Sequence, residues 1–106
     1  MSRAMVLACA LALYAKMATA SGLPDIENLL SSMSLEQKVA QLMFIGFGGT
    51  EVDEHIEHWV GDRGVGGVAL FSRNIVVLAQ TVAFTRALQS LTQGRIPVFI
   101  GLDQEG

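Results

Sequence analysis

The chain has 106 residues, 51% of them hydrophobic and 16% charged, which excludes a disordered tail and leaves room for one domain at most. A net charge of −3 with no basic run excludes a nucleic-acid binder. A single cysteine excludes an internal disulfide framework, so a hydrophobic core must hold the fold together.

The first twenty residues read as an export signal. Arg3 supplies a short positive n-region, Ala4 to Ala15 is unbroken apolar sequence, and Ala18-Thr19-Ala20 offers the small-x-small site of a signal peptidase. That stretch is shorter than the ~18 residues of a membrane-spanning helix, which places an uncleaved membrane anchor second to cleavage after Ala20. Too few apolar residues precede Cys9 for Val6-Leu7-Ala8-Cys9 to serve as a lipoprotein box, so Cys9 is filler in the signal. Removing residues 1–20 takes away Arg3 and Lys16 and no acid, so five basic residues then face ten acids, a net charge of −5. The expected domain is residues 21–106, and the expected location is periplasmic or extracellular.

Past Pro24, Ile26, Leu29, Leu30 and Met33 are spaced for one apolar face of a helix. Ser34-Leu35-Glu36-Gln37 has the form of a capping box and starts a second helix at Leu35, with Val39 and Leu42 on its apolar face. Met43-Phe44-Ile45 is a solid apolar run entering Gly46, Gly48 and Gly49, the pattern of a buried strand and a glycine-rich turn. Val52, Ile56, Trp59 and Val60 then mark an amphipathic helix. Gly64-Val65-Gly66-Gly67 ends it, and Val68-Ala69-Leu70-Phe71 is a second apolar strand leading to Ser72-Arg73-Asn74. A longer helix follows, with Leu78, Val82, Leu88 and Leu91 on one side and Gln80, Arg86 and Gln89 at polar positions, until Gly94. Pro97 sits at a strand entrance, where its missing N–H costs least, and Val98-Phe99-Ile100 is the third strand. Three strands without alternation, separated by helices, predict a parallel α/β sheet covered on both faces. Both an open doubly wound sheet and a (β/α)8 barrel begin in this way.

In either architecture ligands meet the protein at the carboxyl ends of the strands. Three loops lie there: Gly46-Phe47-Gly48-Gly49, Phe71-Ser72-Arg73-Asn74, and Asp103-Gln104-Glu105-Gly106. The first invites a dinucleotide-binding reading, but the third glycine of that fingerprint would fall at Glu51, whose charge repels phosphate, and strand two lacks the acid that holds a ribose. A tight turn requiring positive φ accounts better for it. His55 and His58, with Glu51 and Glu54 nearby, sit at i, i+3 without a further ligand motif, and a solvated helix face explains them better than a metal does. Arg73 and Asn74 stand where a ligand would be met, and structural roles fit them equally well: Asn74 tolerates turn geometry and Arg73 can pair with an acid of a neighbouring loop. Asp103 and Glu105 are the strongest candidates, since carboxylates at the mouth of a buried strand accept charge-assisted bonds from hydroxyl groups. A helix-capping or loop role remains the alternative for each.

Three stretches together resemble a known family. Met33 to Leu42, Val65-Gly66-Gly67-Val68-Ala69-Leu70-Phe71-Ser72-Arg73-Asn74, and Ile96-Pro97 through Leu102-Asp103-Gln104-Glu105-Gly106 are similar to the N-terminal part of family 3 glycoside hydrolases, β-N-acetylhexosaminidase branch. The resemblance implies the first three β/α units of a TIM-type (β/α)8 barrel, truncated, since such a barrel needs about 250 residues and eight strands. It implies removal of terminal β-linked N-acetylglucosamine with retention, from a glycan or a peptidoglycan fragment as substrate, and no cofactor or metal. By position it puts sugar-hydroxyl binding on Asp103 and leaves Glu105 structural. The family's nucleophilic Asp and proton-donating His lie beyond the third strand, so the resemblance implies that no catalytic residue falls within residues 1–106. The rival readings are a catalytically inactive fragment or scaffold, and, further off, a nucleotide-binding α/β protein.

Overall fold

A computed structural model of the protein describes residues 25–104. The expected signal segment, Cys9 within it, lies outside the described residues, as do Glu105 and Gly106. The chain divides into two compact units, Met1–Ser32 and Met33–Gly106. In the first, helix α1 (Ile26–Ser32) begins after Asp25, whose Oδ1 accepts the Asn28 N–H at 3.2 Å. Among the described residues no helix is long and apolar enough to cross a membrane.

The second unit opens with helix α2 (Leu35–Gln41), and the capping box forms as its residues dictate. The Ser34 hydroxyl accepts the Gln37 N–H at 3.2 Å, and Gln37 Oε1 accepts the Ser34 N–H at 2.8 Å. Strand β1 (Phe44–Gly46) follows, then a short α-turn α3 (Glu54–Ile56) that widens into a π-helical turn over Glu57–Asp62. Strand β2 (Gly67–Leu70) leads through a 3₁₀ turn (Ser72–Asn74) into helix α4 (Leu78–Ser90), and strand β3 (Phe99–Leu102) completes the order.

The strands form a parallel sheet in the order β1-β2-β3, with Phe44, Gly67 and Phe99 in one row and Ile45, Val68 and Ile100 in the next. Because side chains alternate across a strand, these rows point to opposite faces. The second row belongs to the core: Ile56, Val60, Val68, Leu70, Phe84 and Leu88 are buried together, with Ile45 and Ile100 packed against them. Each fully buried side chain of this kind stabilises the fold by ~1.5–3 kcal/mol. The Phe47 and Phe84 rings meet edge to face with centroids 5.7 Å apart, which ties the end of β1 to α4.

The other face carries Phe44, Phe99, Ala69 and glycines. A Cβ at Gly67 would overlap the Phe44 ring, and one at Gly101 would stand 2.8 Å from its Cζ, so one phenyl ring occupies the place of two missing side chains. This face is open: Phe44 is 55% exposed and Phe99 74%. The expectation of strands covered on both faces is therefore met on the helix side alone. Likewise Val39 and Leu42 are exposed and the small Ala40 is the buried residue of α2, because a close approach selects the residue without bulk. In α4 the buried residues are Phe84 and Leu88, while Leu78 and Val82 face water.

Candidate functional site

Asp103 stands one residue past β3, exposed, with its backbone N–H donated to the Leu70 carbonyl at 3.2 Å. That bond extends the β2–β3 ladder by one step and holds the Asp at the carboxyl end of the sheet. A groove there is lined by Leu70, Phe71, Ser72, Ile75, Leu102 and Asp103, with Gln104 beside them. Among the described residues it offers one carboxylate, that of Asp103, among largely apolar walls, a suitable acceptor for hydroxyl groups.

The other two loops are joined to each other. Asn74, 0% exposed, accepts the Phe71 N–H on Oδ1 at 2.8 Å and donates from Nδ2 to the carbonyls of Phe47 at 3.2 Å and Gly49 at 2.7 Å. Arg73 Nε donates to the same Phe47 carbonyl at 3.0 Å, and its guanidinium lies 4.3 Å from the centre of the Phe71 ring. That ring covers Gly46, where a Cβ would come within 2.9 Å of Phe71 Cε2. Gln80 Nε2 donates to the carbonyls of Thr50 at 2.5 Å and Asn74 at 3.2 Å, and its Oε1 accepts the Val76 N–H at 3.1 Å. Of the two roles open to Asn74 from its sequence position, the structure supplies the turn-forming one. A wholly buried amide must satisfy its donors and acceptor, and these carbonyls do so.

The glycine-rich loop has positive φ at Gly49 (87°), the geometry of a tight turn. Its Phe47, Gly49 and Thr50 carbonyls face the latch just described. His55 and His58 are exposed and set edge-on to Trp59, with centroids 6.4 and 5.6 Å away, and His58 Nδ1 lies 3.5 Å from Asp62 Oδ2. Glu51 and Glu54 are exposed as well. Among the described residues no three His, Cys, Asp or Glu side chains are grouped so as to hold a metal ion.

Two roles escaped the sequence reading. Gln80, placed among the outward polar positions of α4, is half-buried and bonded to three backbone groups. Asp53 caps α3, its Oδ1 accepting the Ile56 N–H at 2.9 Å, and an Asp directly before a helical pattern was the available signal.

No family model matches the chain. A β-hexosaminidase of Xylella fastidiosa strain 9a5c is 37% identical over 65 residues, covering 61% of this chain and 19% of that protein. β-Hexosaminidase A of Pseudoalteromonas piscicida is 35% identical over 54% of this chain and 10% of its own length. Among solved structures, a glycoside hydrolase family 3 β-N-acetylglucosaminidase from Paenibacillus superposes with a TM-score of 0.66 at 34% identity, over 71% of this chain and 15% of that one. The chain resembles the N-terminal region of family 3 glycoside hydrolases. A fungal multi-domain family 3 β-N-acetylglucosaminidase agrees, with a TM-score of 0.63 at 33% identity over 68% of this chain and 9% of its own. The chain spans less than a fifth of the length of these family 3 enzymes and β-hexosaminidases.

Proposed function

We propose that the chain is the first part of a family 3 glycoside hydrolase barrel that removes terminal β-linked N-acetylglucosamine, and that Asp103 grips sugar hydroxyls in its binding subsite. The observation that carries this reading is the place of Asp103: a carboxylate at the carboxyl end of a parallel sheet, on a residue whose backbone N–H is bonded to Leu70, in a chain whose sequence and fold both resemble that family. Within the same proposal the enzyme is exported by residues 1–20, and its substrates are N-acetylglucosamine-containing glycans or peptidoglycan fragments. The reaction retains configuration. An enzymic carboxylate attacks the anomeric carbon while an acid protonates the departing glycosidic oxygen, and water then displaces the carboxylate. Asp103 has no part in those bond changes. Its charge-assisted hydrogen bonds hold the ring in place while they occur.

The test is turnover of a chromogenic N-acetylglucosaminide by the complete gene product and its Asp103→Ala variant. Loss of contacts that strengthen toward the transition state should lower kcat/KM by about 10- to 100-fold. An equal kcat/KM in the two proteins would remove Asp103 from the subsite.

A further inference from the structure

The strongest feature outside Asp103 is the hydrogen-bonded seam between the loop after β1 and the turn after β2. Arg73, Asn74 and Gln80 together make five hydrogen bonds to backbone carbonyls, four of them in the Phe47–Thr50 segment. The Phe47 carbonyl receives two of these. Among the described residues, Asn74 is one of the largest fully buried side chains, alongside Ile56, Leu70, Leu88, Val60 and Val68, and the only one of that group with a polar end.

Burying a primary amide in place of an aliphatic side chain gains little net stability, since its bonds replace bonds to water. What it gains is uniqueness, because only one loop conformation satisfies all three of its bonds. Beyond Phe47, which is anchored in the core, the loop has little else to hold it: it contains Gly48 and Gly49, and a Cβ at Gly48 would meet nothing within 4 Å. The Phe47, Gly49 and Thr50 carbonyls turn to the seam, while Gly48 and Gly49 are exposed and their N–H groups have no protein partner among the described residues. They lie at the carboxyl end of the sheet, the end at which Asp103 supplies an acceptor.

We infer that Asn74, supported by Arg73 and Gln80, is a positioning residue: it fixes the Phe47–Thr50 loop against the turn after β2, whose Phe71 and Ser72 line the groove beside Asp103, and so sets one rigid wall of the sugar site. This deepens the glycosidase reading and rests on it. A pre-shaped wall spares the substrate the ordering of a glycine-rich loop, and a displacement of about 1 Å in such a wall costs up to ~100-fold in rate. Asn74 touches no substrate in this account and acts through the loop backbone.

The experiment compares the complete gene product with Asn74→Ala and Gln80→Met, using a chromogenic N-acetylglucosaminide as the probe together with backbone amide NMR order parameters at Gly48, Gly49 and Thr50. Gln80→Met keeps the reach of the side chain at a half-buried position, so it carries the same test if Asn74→Ala does not fold. The expected result is an increase in KM of about 10-fold or more in protein whose thermal midpoint shows it to be folded, with lower order parameters confined to the loop. A partly unfolded preparation would lower the apparent kcat and leave KM unchanged, so KM separates positioning from mere stability. Lower order parameters with an unchanged KM overturn the inference, because the loop then moves without consequence for the substrate. Unchanged order parameters overturn it also, since the seam then fixes nothing. If the unsubstituted protein cleaves no N-acetylglucosaminide, the glycosidase reading fails and takes the substrate-facing role with it, and the order parameters then decide separately whether the seam orders the loop.

Discussion

Gly66 and Gly48 are both glycines in loops beside the sheet, and they answer to opposite constraints. A Cβ on Gly66 would overlap the Gln41 carbonyl, a backbone group that has nowhere to go while the Gly66 N–H is bonded to the Ala40 carbonyl at 3.0 Å. Gly66→Ala should therefore destabilise the fold by ~1–3 kcal/mol, as overpacking against fixed atoms does, read as a lower denaturant midpoint at unchanged slope. Gly48 has open space where its Cβ would be and its φ is not positive, so Gly48→Ala should be neutral or stabilising by ~0.4–1 kcal/mol through the unfolded chain. Equal losses at the two positions would contradict the packing described. A sequence shows two glycines; only the neighbour across space separates the one that admits a backbone from the one with room for a side chain. Asn74 was visible in the same limited way. Its position after a strand marked it as ligand-facing or turn-forming, and the carbonyls that decide between the two lie 25 and 27 residues earlier in the chain.

Helix α2 is the element most directly written in its residues, because a capping box is a local device that needs no distant partner. Ser34→Ala should cost ~1 kcal/mol, measured by chemical denaturation near neutral pH. The Glu36 carboxyl is held below its ordinary value by its own backbone N–H first and by the Ser34 hydroxyl second. A depressed folded value means that this contribution is present above the ordinary carboxylate range and is lost as pH falls through the lowered one. Ser34→Ala should flatten part of that acid limb of the stability curve, and an unaltered limb would remove the hydroxyl as a cause. Helix α4 was less legible. Its apolar residues surround the axis, at 78, 79, 82, 83, 84, 87 and 88, so two stripes compete in the sequence. Packing on Phe47 and Val68 selects Phe84 and Leu88, and leaves Leu78 and Val82 to water. The parallel strands were legible from their unbroken apolar character, whereas the choice between a barrel and a doubly wound sheet was not. An order of β1-β2-β3 opens both. The likeness to solved family 3 structures favours the barrel.

At the scale of the molecule, the sheet has two dissimilar faces, one packed by α3, its π-turn and α4, the other a floor of glycine and Ala69 beneath exposed phenyl rings. Parallel sheets are stable when both faces are covered, and β1 and β3 each have an unpaired edge among the described residues. A polypeptide of these 106 residues alone should bind a hydrophobic dye such as ANS and sediment as concentration-dependent oligomers, and a dye-silent monomer would contradict this picture of the open face. In the proposed barrel the same face turns inward, and Phe44 and Phe99 become packed side chains of the interior. One measurement bears on that claim and on the site together: a crystal structure of the complete gene product with N-acetylglucosamine bound. The account predicts both phenyl rings enclosed by further strands, and the Asp103 carboxylate within about 2.5–3.0 Å of sugar hydroxyls at the carboxyl ends of the strands. Sugar bound elsewhere, with Asp103 directed away from it, would contradict the account.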